Sequence, residues 1–339
     1  MKLIATKDAV GQVLCHDMTQ IIPGVTKDAR FRKGHVVTEE DIAVLLSMGK
    51  ENLYVWEKCP GLLHEDEAAE RLLRLCRSDY MRATEPKEGK IELFTDIDGL
   101  FQVDTDRLFA VNDLEEVMIA TRHGNTPVQV GDKLAGMRVI PLVIAEQRLL
   151  DAEAAAGTEP LLRLVPWKRK TAAVVTTGGE VAKGRIQDCF TPVLVDKLQA
   201  YGVEMVFHRI VGDCVEEICE AIHMARASGA QLLFCTGGMS VDPDDRTPGA
   251  IARSGAQIVR YGAPVLPGAM LLLGYFPDGT PILGLPGCVM YAKTTVLDLI
   301  LPRVIADVTL TWQDFTALGH GGLCLGCREC RWPACSFGM

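Results

Sequence analysis

The stretch Gln231-Leu232-Leu233-Phe234-Cys235-Thr236-Gly237-Gly238-Met239-Ser240 runs from an apolar segment straight into a glycine pair. Five apolar or small residues with no polar alternation predict a strand buried on both faces, and the glycines predict a sharp turn at its carboxyl end. The pattern recurs on either side. Thr171 to Thr177 is a second buried-strand candidate that runs into Thr176-Thr177-Gly178-Gly179-Glu180, and Gly284-Leu285-Pro286-Gly287 is a third turn of the same kind. Between them, Pro192 to Ala200 reads as helix and Val203 to Val211 as strand. Val215 to Ser228 reads as a helix with Ile218, Ile222 and Ala225 inward. Strands alternating with helices of this length imply an α/β fold, a parallel sheet covered on both sides, with ligands beyond the carboxyl ends of its strands. A glycine there lets backbone N–H groups approach a ligand that a Cβ would keep away, and a helix starting there adds its positive end. The three turns together predict one anion-cradling site.

Two acids follow the turns in matching contexts. The first turn leads through Gly184-Arg185-Ile186-Gln187-Asp188 to Thr191-Pro192; the second leads through Asp242-Pro243-Asp244-Asp245-Arg246 to Thr247-Pro248. Thr before Pro is what a helix N-cap followed by an N1 proline requires. A carboxylate beside a phosphate-binding turn repels the ligand unless a cation lies between them, which makes Asp188 and Asp245 candidate Mg²⁺ ligands. Capping or a helix-dipole role explains each acid equally well in isolation.

These residues resemble the molybdopterin-binding domain shared by the Mog-type molybdopterin adenylyltransferases and the MoeA-type molybdopterin molybdenumtransferases. Thr236-Gly237-Gly238 followed by Asp245 matches the Thr-Gly-Gly…Asp signature, Gly184 with Asp188 resembles the other acidic position, and Leu285-Pro286-Gly287 resembles the third turn. The resemblance covers about Arg169 to Ile305. It implies a three-layer, parallel-sheet molybdopterin-binding domain over 169–305. The implied cofactor contacts are Thr177, Gly178, Gly179 and Glu180, then Thr236, Gly237, Gly238, Met239, Ser240 and Thr247, then Pro286, Gly287 and Cys288. It further implies Asp188 and Asp245 as catalytic Mg²⁺ ligands acting with ATP or adenylylated molybdopterin, partners among cofactor assembly proteins or recipient enzymes, and a homo-oligomer, dimer or trimer. Three departures stand out. Gly179 occupies a position usually held by Asp in MoeA-type members, Cys288-Val289 replaces Asn-Pro, and Leu266-Pro267-Gly268-Ala269-Met270 carries no lysine.

Outside this region the texture differs. Residues 1–60 read as a small mixed β-rich module with strands at Gln12-Val13-Leu14, Ile21-Ile22-Pro23-Gly24 and Leu53-Tyr54-Val55-Trp56, and a short helix opened by Thr38-Glu39-Glu40-Asp41. Residues 61–150 read as one amphipathic helix, Glu65 to Met81 with Ala69, Leu72, Leu73, Cys76 and Tyr80 on one face, then short strands at Gly99 to Val103 and within Val128 to Pro141. Residues 151–168, from the small residues Ala152 to Pro160 onward, read as a linker. The tail 306–339 is cysteine-rich: Cys324, Cys327, Cys330 and Cys335 follow C-x₂-C-x₂-C-x₄-C spacing. That is close to a bacterial iron–sulfur run but one residue longer, and unlike the separated pairs of a zinc ribbon. A zinc or iron–sulfur site is expected there, with His320 as a candidate extra ligand; sulfur or redox exchange and an incidental thiol-rich tail are the alternatives. Cys15, Cys59, Cys76, Cys189, Cys214, Cys219 and Cys235 read as small buried apolar residues.

A net charge of −9 argues against a nucleic-acid or anionic-membrane partner. The start has no signal-peptide core, and no apolar run reaches the roughly 18 residues of a membrane span. Twelve cysteines then fit a reducing cytoplasm. Three functions compete: chemistry at the molybdopterin phosphate, either adenylylation or molybdenum insertion; a non-catalytic carrier or sensor of the finished cofactor; and a nucleotide pyrophosphatase of the competence-damage-protein type, whose Asp-Asp turn Asp244-Asp245 resembles.

Overall fold

The computed structural model describes residues 2–22, 26–55, 60–240, 242–243 and 245–338; Pro23, Gly24, Trp56, Cys59 and Asp244 of the readings above lie outside these. The chain divides into two units, one made of 1–95, 103–122 and 132–163, the other of 96–102, 123–131 and 164–339.

The first unit is β-rich. Lys2–Ala5 pairs antiparallel with Asn52–Val55, and Met18–Ile22 with Thr26–Phe31. Val13 and Leu14 form only isolated bridges, to Val36 and Val55. The expected short helix is Glu39–Ser47, and Thr38 and Asp41 close a reciprocal capping box at its start. The same unit holds a four-stranded antiparallel sheet, in the order Met81–Ala83, Ile91–Thr95, Lys133–Val139, Val117–Thr121, and an antiparallel pair of Leu62–His64 with Val143–Ala145.

Two expectations for this part are corrected. The amphipathic helix is Glu65–Cys76, five residues shorter than its periodicity predicts. Arg77 turns extended, Tyr80 takes a left-handed φ of 63°, and Arg77 Nε donates to Met81 O, so the chain reverses and buries Met81 as a strand residue. Residues 151–168 are not a loose linker: Glu146–Ala156 is helix and Leu162–Pro166 strand. Alanine is the strongest helix former, and Ala152 and Ala156, one turn apart, are both buried.

The second unit follows the α/β reading closely at first. Its elements are β1 (Thr171–Thr177), α1 (Phe190–Gln199), β2 (Glu204–Val211), α2 (Val215–Ala227), β3 (Leu232–Thr236), α3 (Thr247–Arg253), β4 (Gln257–Tyr261), β5 (Leu272–Tyr275), β6 (Pro281–Leu285), α4 (Val296–Ile305) and α5 (Trp312–Ala317). The sheet order is β2-β1-β3-β6-β5-β4. β2, β1, β3 and β6 are parallel, but β5 runs antiparallel to both β6 and β4, so the sheet is mixed and not wholly parallel. The cause is the short Phe276-Pro277-Asp278-Gly279-Thr280 connection. Gly279 has φ +83° and its N–H donates to Phe276 O, and a link this short can join only antiparallel neighbours.

Apolar side chains fill both faces. One face carries Val174, Phe234 and Leu283 against α1 and α4; the other carries Val175, Cys235 and Ile282 against Ile218 and Ile222 of α2 and Ile251 of α3. Among the described residues no helix is long and apolar enough to cross a membrane.

Candidate functional site

Thr176, Thr236 and Leu285 stand in one row across the neighbouring strands β1, β3 and β6. The three glycine turns therefore leave the sheet side by side at its carboxyl edge. Gly237 and Gly238 are both left-handed, with φ of +86° and +55°. A Cβ on Gly237 would lie 2.2 Å from Thr177 O, and one on Gly238 would lie 2.8 Å from Thr247 Oγ1. These glycines are required first by the packing of one turn on another. Below them Thr177 Oγ1 and Thr247 Oγ1 share a hydrogen bond of 3.0 Å, and both residues are buried.

The second and third turns bound a cavity of about 340 Å³ lined by Gly237, Gly238, Met239, Ser240, Asp245, Gly268, Ala269, Met270, Pro286, Gly287 and Cys288. The first turn is not part of this lining; its Thr177 bears on the second turn only through packing against Gly237 and the hydrogen bond to Thr247. Met239 is 4% exposed and packs over Gly284, where a Cβ would fall 2.5 Å from Met239 Cε. Its side chain anchors the turn to β6, so only its main chain is left to contact a ligand. Cys288 is half-buried, and burial pushes its thiol above the ordinary value.

The two acids have different surroundings. Asp245 lines the cavity, and its Oδ2 accepts the Ser240 N–H at 2.8 Å. The Tyr261 hydroxyl donates to Met239 O at 3.0 Å, and its phenol is pushed up by burial and then by the charge of Asp245. Asp188 lies outside the lining. Its Oδ1 accepts Phe190 N–H at 2.8 Å and Thr191 N–H at 3.1 Å, and its Oδ2 accepts the Thr191 hydroxyl at 2.5 Å. His208 Nε2 stands 3.5 Å from Oδ2 and 3.0 Å from Thr176 Oγ1. Burial alone would raise the Asp188 carboxyl, but these hydrogen bonds and His208 hold it below the ordinary value. The cap of α1 is thus the acid, while Thr191 sits inside the first helical turn. Thr247 likewise opens α3 from within.

In the first turn, Gly179 N–H donates to Asp213 Oδ2 at 2.7 Å, and a Cβ at 179 would lie 3.0 Å from that oxygen. Glu180 is exposed on the single helical turn Gly179–Ala182. Thr236 is fully buried, and its Oγ1 has no hydrogen-bond partner among the described residues. Tyr261, His208 and Asp213 were missed by sequence reasoning. They reach the site through strand pairing and a loop contact, for which no local motif exists.

Among the described residues, no three His, Cys, Asp or Glu side chains are placed to hold a metal ion. Asp188 and Asp245 do not form a ready-made cation site with a third ligand, and Cys324, Cys327, Cys330 and Cys335 do not gather around one point.

Residues 173–306 match a family described as a probable molybdopterin binding domain. The chain contains a molybdopterin-binding domain. The matched range lies within the α/β unit just described and carries all three glycine turns and both acids. Residues 3–57 match a domain of unknown function (DUF8806). Among curated relatives, a molybdopterin molybdenumtransferase of Synechococcus elongatus is 26% identical over 180 residues, covering 50% of this chain and 42% of the relative. A CinA-like protein of Mycolicibacterium gilvum is 30% identical over 172 residues, covering 43% of this chain and 40% of the relative. The chain thus spans less than half the length of either. A solved structure described as the tungsten cofactor synthesizing protein MoaB from Pyrococcus furiosus is 24% identical, covering 40% of this chain and 93% of that one, with a TM-score of 0.35.

Proposed function

We propose that the molybdopterin-binding domain receives molybdopterin with its phosphate in the cavity between the second and third glycine turns, and acts at that phosphate in adenylylation or in molybdenum insertion. The observation that supports this best is the cavity itself: residues of two glycine turns wall it, and Asp245, the one carboxylate on it among the described residues, is fixed in place by Ser240 N–H. Backbone N–H groups at such turns suit phosphate oxygens. Asp245 and the phosphate oxygens would together hold Mg²⁺, whose charge screens the two anions and aligns them for transfer. Mg²⁺ commonly takes one or two carboxylates plus phosphate and water, so the lack of a third protein ligand is compatible with this. Asp188, whose oxygens cap α1, is assigned to holding the first helical turn and with it Thr176 and Thr191.

A carrier that binds the cofactor without turnover is the second reading. It is favoured by the Asp213 carboxylate, which already occupies the Gly179 N–H, and by the absence of lysine from 266–270. Titration with molybdopterin, with and without Mg²⁺ and ATP, separates the two. The transferase reading expects Mg²⁺-dependent turnover that Asp245→Asn abolishes while binding changes only a few-fold; binding with no turnover by the wild type selects the carrier. Absence of molybdopterin binding would sink both and bring forward a pyrophosphatase, tested with ADP-ribose.

A further inference from the structure

The C-terminal segment after α5 is a built loop. Leu266 N–H donates to Gly322 O and Cys324 N–H to Leu266 O, each at 2.8 Å, and the loop closes where Gly338 N–H meets Gly321 O at 2.9 Å. Trp332, Cys335 and Phe337 pack on the domain core. Between the loop and Pro267 and Ala292 to Thr294 of the domain lies a second cavity of about 340 Å³, and all four tail cysteines are among the residues that line it. Lys293 and Arg331 line it too, and Thr294 Oγ1 meets Cys330 Sγ at 2.9 Å. Between Cys324 and Cys327, Gly326 takes a left-handed φ of +65°, which bends the C-x₂-C backbone so that both thiols can turn to one side.

We propose that these four thiols bind one thiophilic metal ion of the zinc class as a tetrathiolate site. Three features support it beyond the cysteine spacing. The loop closes on itself at both ends yet contains no helix or strand, the situation in which small segments are commonly fixed by a metal. A Zn²⁺ ion with four thiolates carries a net charge of −2, and Lys293 and Arg331 on the same walls supply two positive charges. Thr294 stands ready to support a sulfur from outside the coordination sphere, as such partners do. The four sulfurs are not gathered around one point in the structure, so binding requires them to move; a change of staggered χ1 rotamer moves a cysteine sulfur by roughly 3 Å, the scale of movement needed between side chains that share one cavity. Loading breaks four S–H bonds, forms four Zn–S bonds and releases four protons to solvent, with no change of oxidation state. Because Leu266 is hydrogen-bonded to the loop on both sides, the ion would also brace the segment that continues into Gly268, Ala269 and Met270 of the glycine-turn cavity.

The test is metal analysis of the full chain purified under reducing conditions, followed by Co²⁺ titration of chelator-stripped protein. Cys327→Ser and Cys330→Ser, both at exposed positions, are compared after circular dichroism confirms their fold. Expected are about one zinc per chain, thiolate-to-cobalt charge-transfer bands of a tetrahedral site, and a loss of affinity above roughly 100-fold in either variant, more than a missing outer contact produces. Thr294→Val should weaken binding about tenfold. The proposal is overturned by metal-free protein lacking cobalt charge transfer, by iron with acid-labile sulfide, or by zinc that both serine variants retain like wild type.

Discussion

Gly237→Ala tests whether the second turn is glycine because of the first. The new Cβ would sit 2.2 Å from Thr177 O and 3.0 Å from Thr177 Oγ1, at a φ of +86°. A left-handed alanine costs about 1–2 kcal/mol. Relieving the overlap requires the turn to move about 1 Å from the end of β1, an overpacking effect of about 1–3 kcal/mol. The movement also stretches the Thr177–Thr247 hydroxyl bond, worth about 1 kcal/mol. The total is about 3–6 kcal/mol of destabilisation. Gly229→Ala is the control, because its φ is +77° but a Cβ there meets nothing within 4 Å, leaving only the conformational part. Urea unfolding followed by tryptophan fluorescence is suitable, since Trp167, Trp312 and Trp332 all belong to the α/β unit. If Gly237→Ala is no more destabilising than Gly229→Ala, turn-on-turn packing is not what selects the glycine.

Thr236→Val keeps the shape of a fully buried strand residue and removes a hydroxyl with no partner among the described residues, so it should stabilise the protein by about 1 kcal/mol, read as a higher urea midpoint; a lower midpoint would refute the orphan assignment. Asp278 is depressed from 3.8 to about 2 by the Thr280 N–H and then by Arg226, so its contribution is present above the ordinary carboxylate value and is lost as pH falls through the depressed one. Thermal unfolding of Asp278→Asn should therefore lose less stability than wild type as pH falls from about 4 to about 2, and parallel curves would contradict it. Burial pushes the thiols of Cys76 and Cys235 up to about 12, whereas Cys189 and Cys214 are exposed. Iodoacetamide followed by peptide mass mapping should label the exposed pair in the folded protein and the buried pair only after unfolding; equal rates would mean the core opens locally.

The strands β1 and β3 could be read from the chain because burial on both faces leaves an unbroken apolar run, and α2 because Ile218, Ile222 and Ala225 repeat at helical spacing. The reversal at β5 was harder. Leu272–Tyr275 and Pro281–Leu285 are apolar in the same way as their parallel neighbours, and only the Asp278-Gly279 turn between them marks the change of direction. Alanine-rich 152–156 reads as spacer by size but folds as helix because a helix packs small residues against its neighbours. Tyr80 fits the periodicity of its helix, yet the chain leaves that helix at Arg77.

At the site the positions of the turns were legible, but the partners of their polar groups were not. Asp188 and Asp245 occur in nearly the same local sequence, and one caps a helix while the other lines the cavity. What separates them is where the polar groups around each acid lie. Asp188 meets Phe190 N–H and Thr191 at the start of α1, whereas Asp245 folds back onto Ser240 N–H. The glycines carry the same ambiguity. A missing Cβ permits close approach by a phosphate or by another strand end, and the residue type is identical in the two cases. Here the second use is visible at Thr177 O, and it is what brings the turn into position for the first. A glycine pair read as a ligand contact is therefore also a statement about which turns must touch, and the two roles separate only when Gly237 is changed and stability and ligand binding are followed together.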